Sequence, residues 1–355
     1  MGSVHEQASA YITVRRAQLA TEIVDYQYNL QPAYWRQFGE VGHAKSVRDE
    51  EYHLAYLAEA LATSDPSLFL EYVRWCKVFF TNLHFPESAI RGTFESMRDV
   101  LPRLMPEQLS PCVADYLEMG LAHLNRIPST LPSFFSESAP LVDVARCYSQ
   151  ALLRGERQEA GKLIMETVAS GIPVKDIYLH VFQPAQLEIG RLWQTNQITV
   201  AQEHYCTAAT QMIMSQLYPY LFTTERIGRN LVVACVGGEL HEIGARMVAD
   251  FFELDGWDTY YLGANTPADS ILRTLSERQC DILAISVTIA PHLPGVSELI
   301  DKVRATPGLP LKIIVGGYPF NVMPNLWQQV GADGFARDAE HAVFEGNRLI
   351  ETTSV

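Results

Sequence analysis

The chain is 355 residues long, 48% hydrophobic, and carries a formal net charge of −14. That length allows two or three domains. The acidic balance, with no basic cluster beyond pairs such as Arg15-Arg16, argues against direct nucleic-acid binding, which leans on phosphate contacts.

No apolar run of about 18 residues is present to span a membrane. The N-terminal MGSVHEQAS lacks a secretory pattern, and Glu6 stands where myristoylation wants Ser or Thr. Cys76, Cys112, Cys147, Cys206, Cys235 and Cys280 are scattered with no CxxC, the usage of reduced thiols in a cytoplasmic protein.

In chain order, residues 1–135 read as an all-α domain. Apolar residues recur at helical spacing over 52–61, 67–80 and 86–104. Pro66, Pro86, Pro106 and Pro111 sit where helices would begin. Aromatic and histidine residues gather between Tyr34 and Phe85. They fit either a helical core with surface histidines or a pocket for a flat, conjugated ligand. A Ser/Pro-rich linker, 129–140, follows. Residues 136–226 hold four more helical stretches (141–153, 157–170, 174–193 and 200–222) with Gly155 and Gly171 as C-terminal caps, the pattern of a small bundle. From 227 to 355 the period changes. Five strands, 231–236, 258–262, 282–287, 312–315 and 334–336, alternate with helical stretches, which predicts a parallel α/β Rossmann-like, flavodoxin-like sheet.

The stretch GGELHEIG, Gly237 to Gly244, falls between the first strand and its helix. Ligands of open parallel sheets bind at the carboxyl ends of the strands, so His241 is on the binding edge. The two glycines before it admit a bulky group, and Gly244 removes a side chain at the helix start. GxGxxG is absent. A neutral imidazole is a good metal ligand, and Glu239 could accept a hydrogen bond from its other nitrogen. No second ligand lies at zinc spacing, so a metal here would arrive already caged, as in a haem or a corrin.

Glu239-Leu240-His241-Glu242-Ile243-Gly244, then Ser286-Val287-Thr288, then Gly316-Gly317 resemble the cobalamin-binding fingerprint DxHxxG, SxL/SxT and GG. Glu239 stands where most members of that family have Asp. The resemblance implies cobalt on His241 as lower axial ligand, and Ser286, Thr288, Gly316 and Gly317 around the nucleotide tail. Upstream, Thr199 and Gln202 form a capping box that starts a helix at Val200, placing Val200 and His204 on one face. Trp193, nine residues, then Glu203-His204 is similar to the cap of cobalamin photoreceptors, the light-controlled repressors of carotenoid genes. There these positions flank an adenosyl upper ligand.

Two departures stand out. No helix-turn-helix domain is present, and Gln194 replaces the histidine that follows the cap tryptophan in the repressors, so a second imidazole would come from elsewhere, such as His204. A helical domain in place of the DNA-binding domain is similar to photocobilins. That implies biliverdin or another bilin in the N-terminal domain, with Arg74, Lys77 and Arg91 available to propionates and Cys76 more readily a buried thiol than an attachment point.

The resemblance therefore implies an adenosylcobalamin light sensor. Breaking its Co–C bond would change homo-oligomer assembly or binding of a downstream signalling partner, with no nucleic-acid or membrane partner. The alternative is a corrinoid methyl-carrier protein of a methyltransferase system, which shares the bundle and the cobalamin fold. A mutase subunit would need a barrel that the pattern lacks. A haem sensor would use His43, His53 or His84. No nucleophile–base pair or paired catalytic carboxylates stand out, so no catalytic residue is assigned.

Overall fold

Ser3 opens the first helix through a reciprocal cap: its hydroxyl accepts from Glu6 N at 3.1 Å and the Glu6 carboxylate accepts from Ser3 N at 2.7 Å. The helix, α1 (Val4–Leu30), packs with α2 (Gly39–Ala62), α3 (Ser67–Asn82), α4 (Glu87–Leu104) and α5 (Ser110–Leu124). Pro66 and Pro86 immediately precede α3 and α4, and Pro111 lies in the first turn of α5. The core includes Ile23, Leu57, Phe69, Phe94 and Leu117. Gly120 lets Phe69 close in, since a Cβ there would lie 2.8 Å from the ring. This computed structural model describes residues 2–351, and the chain divides between Ser129 and Thr130 into two compact units.

The second unit begins with a bundle of α6 (Val142–Leu153), α7 (Arg157–Ala169), α8 (Gln183–Gln194) and α9 (Val200–Gln216). Gly155 and Gly171 follow α6 and α7 at φ +81° and +95°, the left-handed cap geometry that glycine adopts freely. The expected helix over 174–193 is broken by a π-helical turn, Tyr178–Phe182. Such turns insert a residue and re-aim their neighbours. Here the buried Tyr178 hydroxyl donates to Asp250 Oδ2 at 2.7 Å. The Thr199–Gln202 capping box is formed.

The sheet comprises β1 (Asn230–Cys235), β2 (Asp258–Tyr261), β3 (Ile282–Ser286), β4 (Lys312–Gly316) and β5 (Gly334–Ala336). All pairings are parallel, in the order β2-β1-β3-β4-β5. Its helices are α10 (Ile243–Leu254), α11 (Ala268–Arg278), α12 (Leu293–Ala305) and α13 (Ala339–Glu351). The strand order reverses between β1 and β3, which marks the crevice where such sheets bind ligands.

Helix α10 joins sheet to bundle. The buried Arg246 guanidinium donates to Gln211 O at 2.9 Å and Ser215 Oγ at 2.7 Å, and Gln211 Nε2 donates to Glu242 Oε1 at 2.9 Å. All six cysteines are free thiols, only Cys147 exposed. Among the described residues no helix is long and apolar enough to cross a membrane.

The double glycine at the end of β4 is demanded by the backbone. Gly317 has φ +108°, and a Cβ there would lie 1.8 Å from Val287 O; one on Gly316 would lie 2.8 Å from Ala336 O. Gly317→Ala is therefore expected to cost more than about 4 kcal/mol, read as loss of the cooperative denaturant transition of the second unit. A variant unfolding like wild type would show that this turn relaxes.

Candidate functional site

The β1–α10 turn is built around one buried carboxylate. Glu239 has no solvent exposure. Its Oε1 accepts from His241 N at 2.9 Å and His241 Nδ1 at 2.6 Å. Its Oε2 accepts from Thr288 N at 2.7 Å, Ile289 N at 3.1 Å and His292 Nδ1 at 3.1 Å. Burial alone would raise its pKa, but the hydrogen bonds from His241, His292 and the backbone amides outweigh burial and hold it well below the ordinary value.

An ionised Glu239 accepts a hydrogen bond from Nδ1–H of His241, so the neutral ring presents its Nε2 lone pair. The side chain is 57% exposed, and among the described residues Nε2 makes no hydrogen bond. The Glu239 contact raises the His241 pKa against a smaller effect of burial, with Glu203 adding its charge. A metal at Nε2 competes with that proton.

Room exists for a large ligand. A Cβ on Gly237 or Gly244 would meet no atom within 4 Å, and Leu240 and Tyr318 stand exposed on this edge. An imidazole with a fixed tautomer, a free Nε2 and open glycines on either side fits a metal that brings its own macrocycle.

Ser286 lies beside Cys235 and Gly316 in strand register. Val287 N bonds Gly316 O at 3.1 Å, and Thr288 joins the Glu239 network. These residues meet at one edge, but a 340 Å³ cavity beside Gly237 is lined by residues such as Thr266, Asp269, Gly295 and Lys302 and includes none of Ser286, Thr288, Gly316 or Gly317. The sequence reading missed His292. It is 53 residues from Glu239 and carries no motif, so only the fold brings them together.

On the bundle, Trp193 is half-buried at the end of α8. Glu203 accepts from Thr207 Oγ1 at 2.9 Å and pairs with His204 Nδ1 at 2.6 Å. His204 is 74% exposed and Val200 50%.

In the first unit a 330 Å³ cavity is lined by aromatic side chains with Glu50 and His53. Arg74 is paired with Glu71, Lys77 with Glu87 and Arg91 with Glu95. Cys76 is fully buried, and burial pushes its thiol well up. His53 bonds Tyr72 at 2.8 Å and His43 bonds Asp25 at 2.8 Å.

Comparison with known proteins separates two parts of the chain. Residues 229–345 match the B12 binding domain family, and residues 144–218 match a second family of the same description. This supports a corrinoid as the cofactor. The chain is similar to dimethylamine corrinoid protein 1 of Methanosarcina acetivorans, 25% identical over 171 residues that cover 46% of this chain and 77% of the relative. It is also similar to monomethylamine corrinoid protein 1 of Methanosarcina mazei, 26% identical over 202 residues that cover 55% and 91%. The solved monomethylamine corrinoid protein of Methanosarcina barkeri superposes with a TM-score of 0.52 at 20% identity, covering 59% of this chain and all of that one, which shows the shared fold.

These relatives overturn the light-sensing reading. The bundle and cobalamin fold that carried it are shared with proteins named for methylamine corrinoid systems. The structure supplies physical reasons. Glu203, His204 and Thr207 satisfy one another on an open helix face, so their pattern does not require an adenosyl ligand. The cations expected to hold bilin propionates are each already paired with a carboxylate, and Cys76 is inaccessible. Adenosylcobalamin photolysis, a bilin chromophore and light-dependent assembly are accordingly withdrawn.

Glu239→Gln is expected to weaken corrinoid binding roughly 10–100-fold, read by titration with hydroxocobalamin. Because the carboxyl is depressed when folded, its stabilisation is complete above its unfolded value of 4.5 and is lost as pH falls. Because the same charge raises the His241 pKa, the stability gap between wild type and variant should grow as His241 protonates and then close on acidification below 4.5. A gap that keeps widening below pH 4.5 would contradict the ionised assignment.

Proposed function

We propose that the chain is a corrinoid methyl carrier that serves a methyltransferase, and is not itself the catalyst. The observation that carries this reading is His241, held by Glu239 with Nε2 free, in a chain whose bundle and B12 binding domain align along most of the length of methylamine corrinoid proteins. A corrinoid bound here would supply a cobalt centre able to accept and release a methyl group.

The residues of the chain do the rest. His241 would hold the lower face, and Glu239 keeps the proton on Nδ1, so the imidazole is a stronger donor at Nε2. Ser286, Thr288, Gly316 and Gly317 would border the nucleotide tail. Glu203 and His204, on the bundle helix nearest that edge, would face the upper side. Six unpaired cysteines suit a reducing cytoplasm.

The test is transfer of a labelled methyl group from methylcobalamin-loaded protein to a thiol acceptor in the presence of a corrinoid-dependent methyltransferase. Label should appear on the thiol, about tenfold or more slowly with His241→Ala. Label that stays on the protein with every methyltransferase supplied would sink the proposal.

A further inference from the structure

The corrinoid edge holds a second imidazole that no motif claims. His292 closes the short helical turn Ala290–His292 that leads into α12, and its own N–H donates to Ile289 O at 2.9 Å. Pro291 and Pro294 stand on either side and stiffen the backbone there. Its Nδ1 donates to Glu239 Oε2 at 3.1 Å, while His241 Nδ1 donates to Oε1 at 2.6 Å. Two imidazoles thus share one carboxylate, one on each oxygen. The His292 ring also lies against the turn that carries His241. A Cβ on Gly238 would be 3.3 Å from His292 Nε2 and 3.5 Å from its Cδ2. The ring is mostly enclosed, with 23% of the side chain exposed.

The other donors to Oε2, the amides of Thr288 and Ile289, are adjacent in one turn after β3. His292 is the side chain that ties the same oxygen to the start of α12. A hydrogen bond to an ionised carboxylate is roughly twice as strong as a neutral one. We infer that His292 is a positioning residue for the axial ligand: it holds Oε2 so that Oε1 stays aimed at His241 Nδ1, and so fixes the ring whose Nε2 would meet cobalt. The role is exerted through Glu239. It rests on the proposed function only in taking His241 as the lower ligand.

The test is the electron paramagnetic resonance spectrum of the full chain saturated with cob(II)alamin, on protein labelled with ¹⁵N-histidine. An axial nitrogen splits each cobalt line, and the isotope separates a protein imidazole from the corrinoid's own base. No methyl transfer is needed. Wild type should show the ¹⁵N pattern, and His241→Ala should lose it. His292→Leu keeps an apolar body over Gly238 and removes the donor. Its ratio of imidazole-bound to unbound cobalt should fall about tenfold, the loss expected for one hydrogen bond to a charged group. His292→Ala should fall at least as far. His292→Asn places an amide N–H near the position of Nδ1 and should restore most of the ratio. An unchanged ratio in either folded donor-less variant would overturn the inference. So would a folded His292→Asn no better than His292→Leu, since packing and not the hydrogen bond would then be the cause. A wild-type spectrum without the ¹⁵N pattern would overturn the His241 assignment and this inference together, a failure distinct from that of the labelled methyl transfer.

Discussion

The arrangement of the corrinoid edge depends on the burial of one negative charge. Placing a carboxylate out of water costs several kcal/mol unless it is fully hydrogen-bonded, and Glu239 is met by five N–H donors from three places: its own turn, the turn after β3, and His292 at the start of α12. None of these segments reaches the carboxylate unless β1 and β3 are in register. The same charge that closes the edge fixes the His241 tautomer, so folding and ligand preparation are one event. The two oxygens of the single Glu239 side chain span both turns.

A second set of polar contacts holds the bundle over this edge. Arg246 and Gln211 cross-link α10 to α9, and the Tyr178–Asp250 bond ties in the π-helical turn. Burial pushes the Asp250 carboxyl up to about 6, against the opposing hydrogen bond from Tyr178 and the charge of Arg246. Buried polar groups tolerate little displacement once satisfied, which makes this seam directional where an apolar one would slide. The Glu203 charge is thereby kept near His241.

Much of this was legible in the sequence because it is local. Each strand was placed to within about a residue, and the Thr199–Gln202 cap and the Gly155 and Gly171 stops follow from chemistry within four positions. His241 and Glu239 could be paired because they are two residues apart. What was hidden is non-local or inserted. His292 meets Glu239 only through the sheet order. The π-helical turn at Tyr178–Phe182 leaves the hydrophobic period nearly intact. Gly316-Gly317 reads as a ligand cradle from its motif, yet the backbone of Val287 and Ala336 already excludes any side chain there, so the motif alone could not separate binding from packing.

The same ambiguity explains the failure of the upper-face reading. Trp193, Glu203 and His204 are spaced by helix geometry, and a tryptophan at one helix end with Glu-His in the next helix's first turns costs nothing structurally. Function is a property of the site and not of the fold, and the feature that would discriminate is access to the upper face with a corrinoid bound. A sensor that reports breakage of one bond needs its upper ligand enclosed, so that the cap repacks only when the ligand leaves. A carrier must expose that face twice, to a donor and to an acceptor.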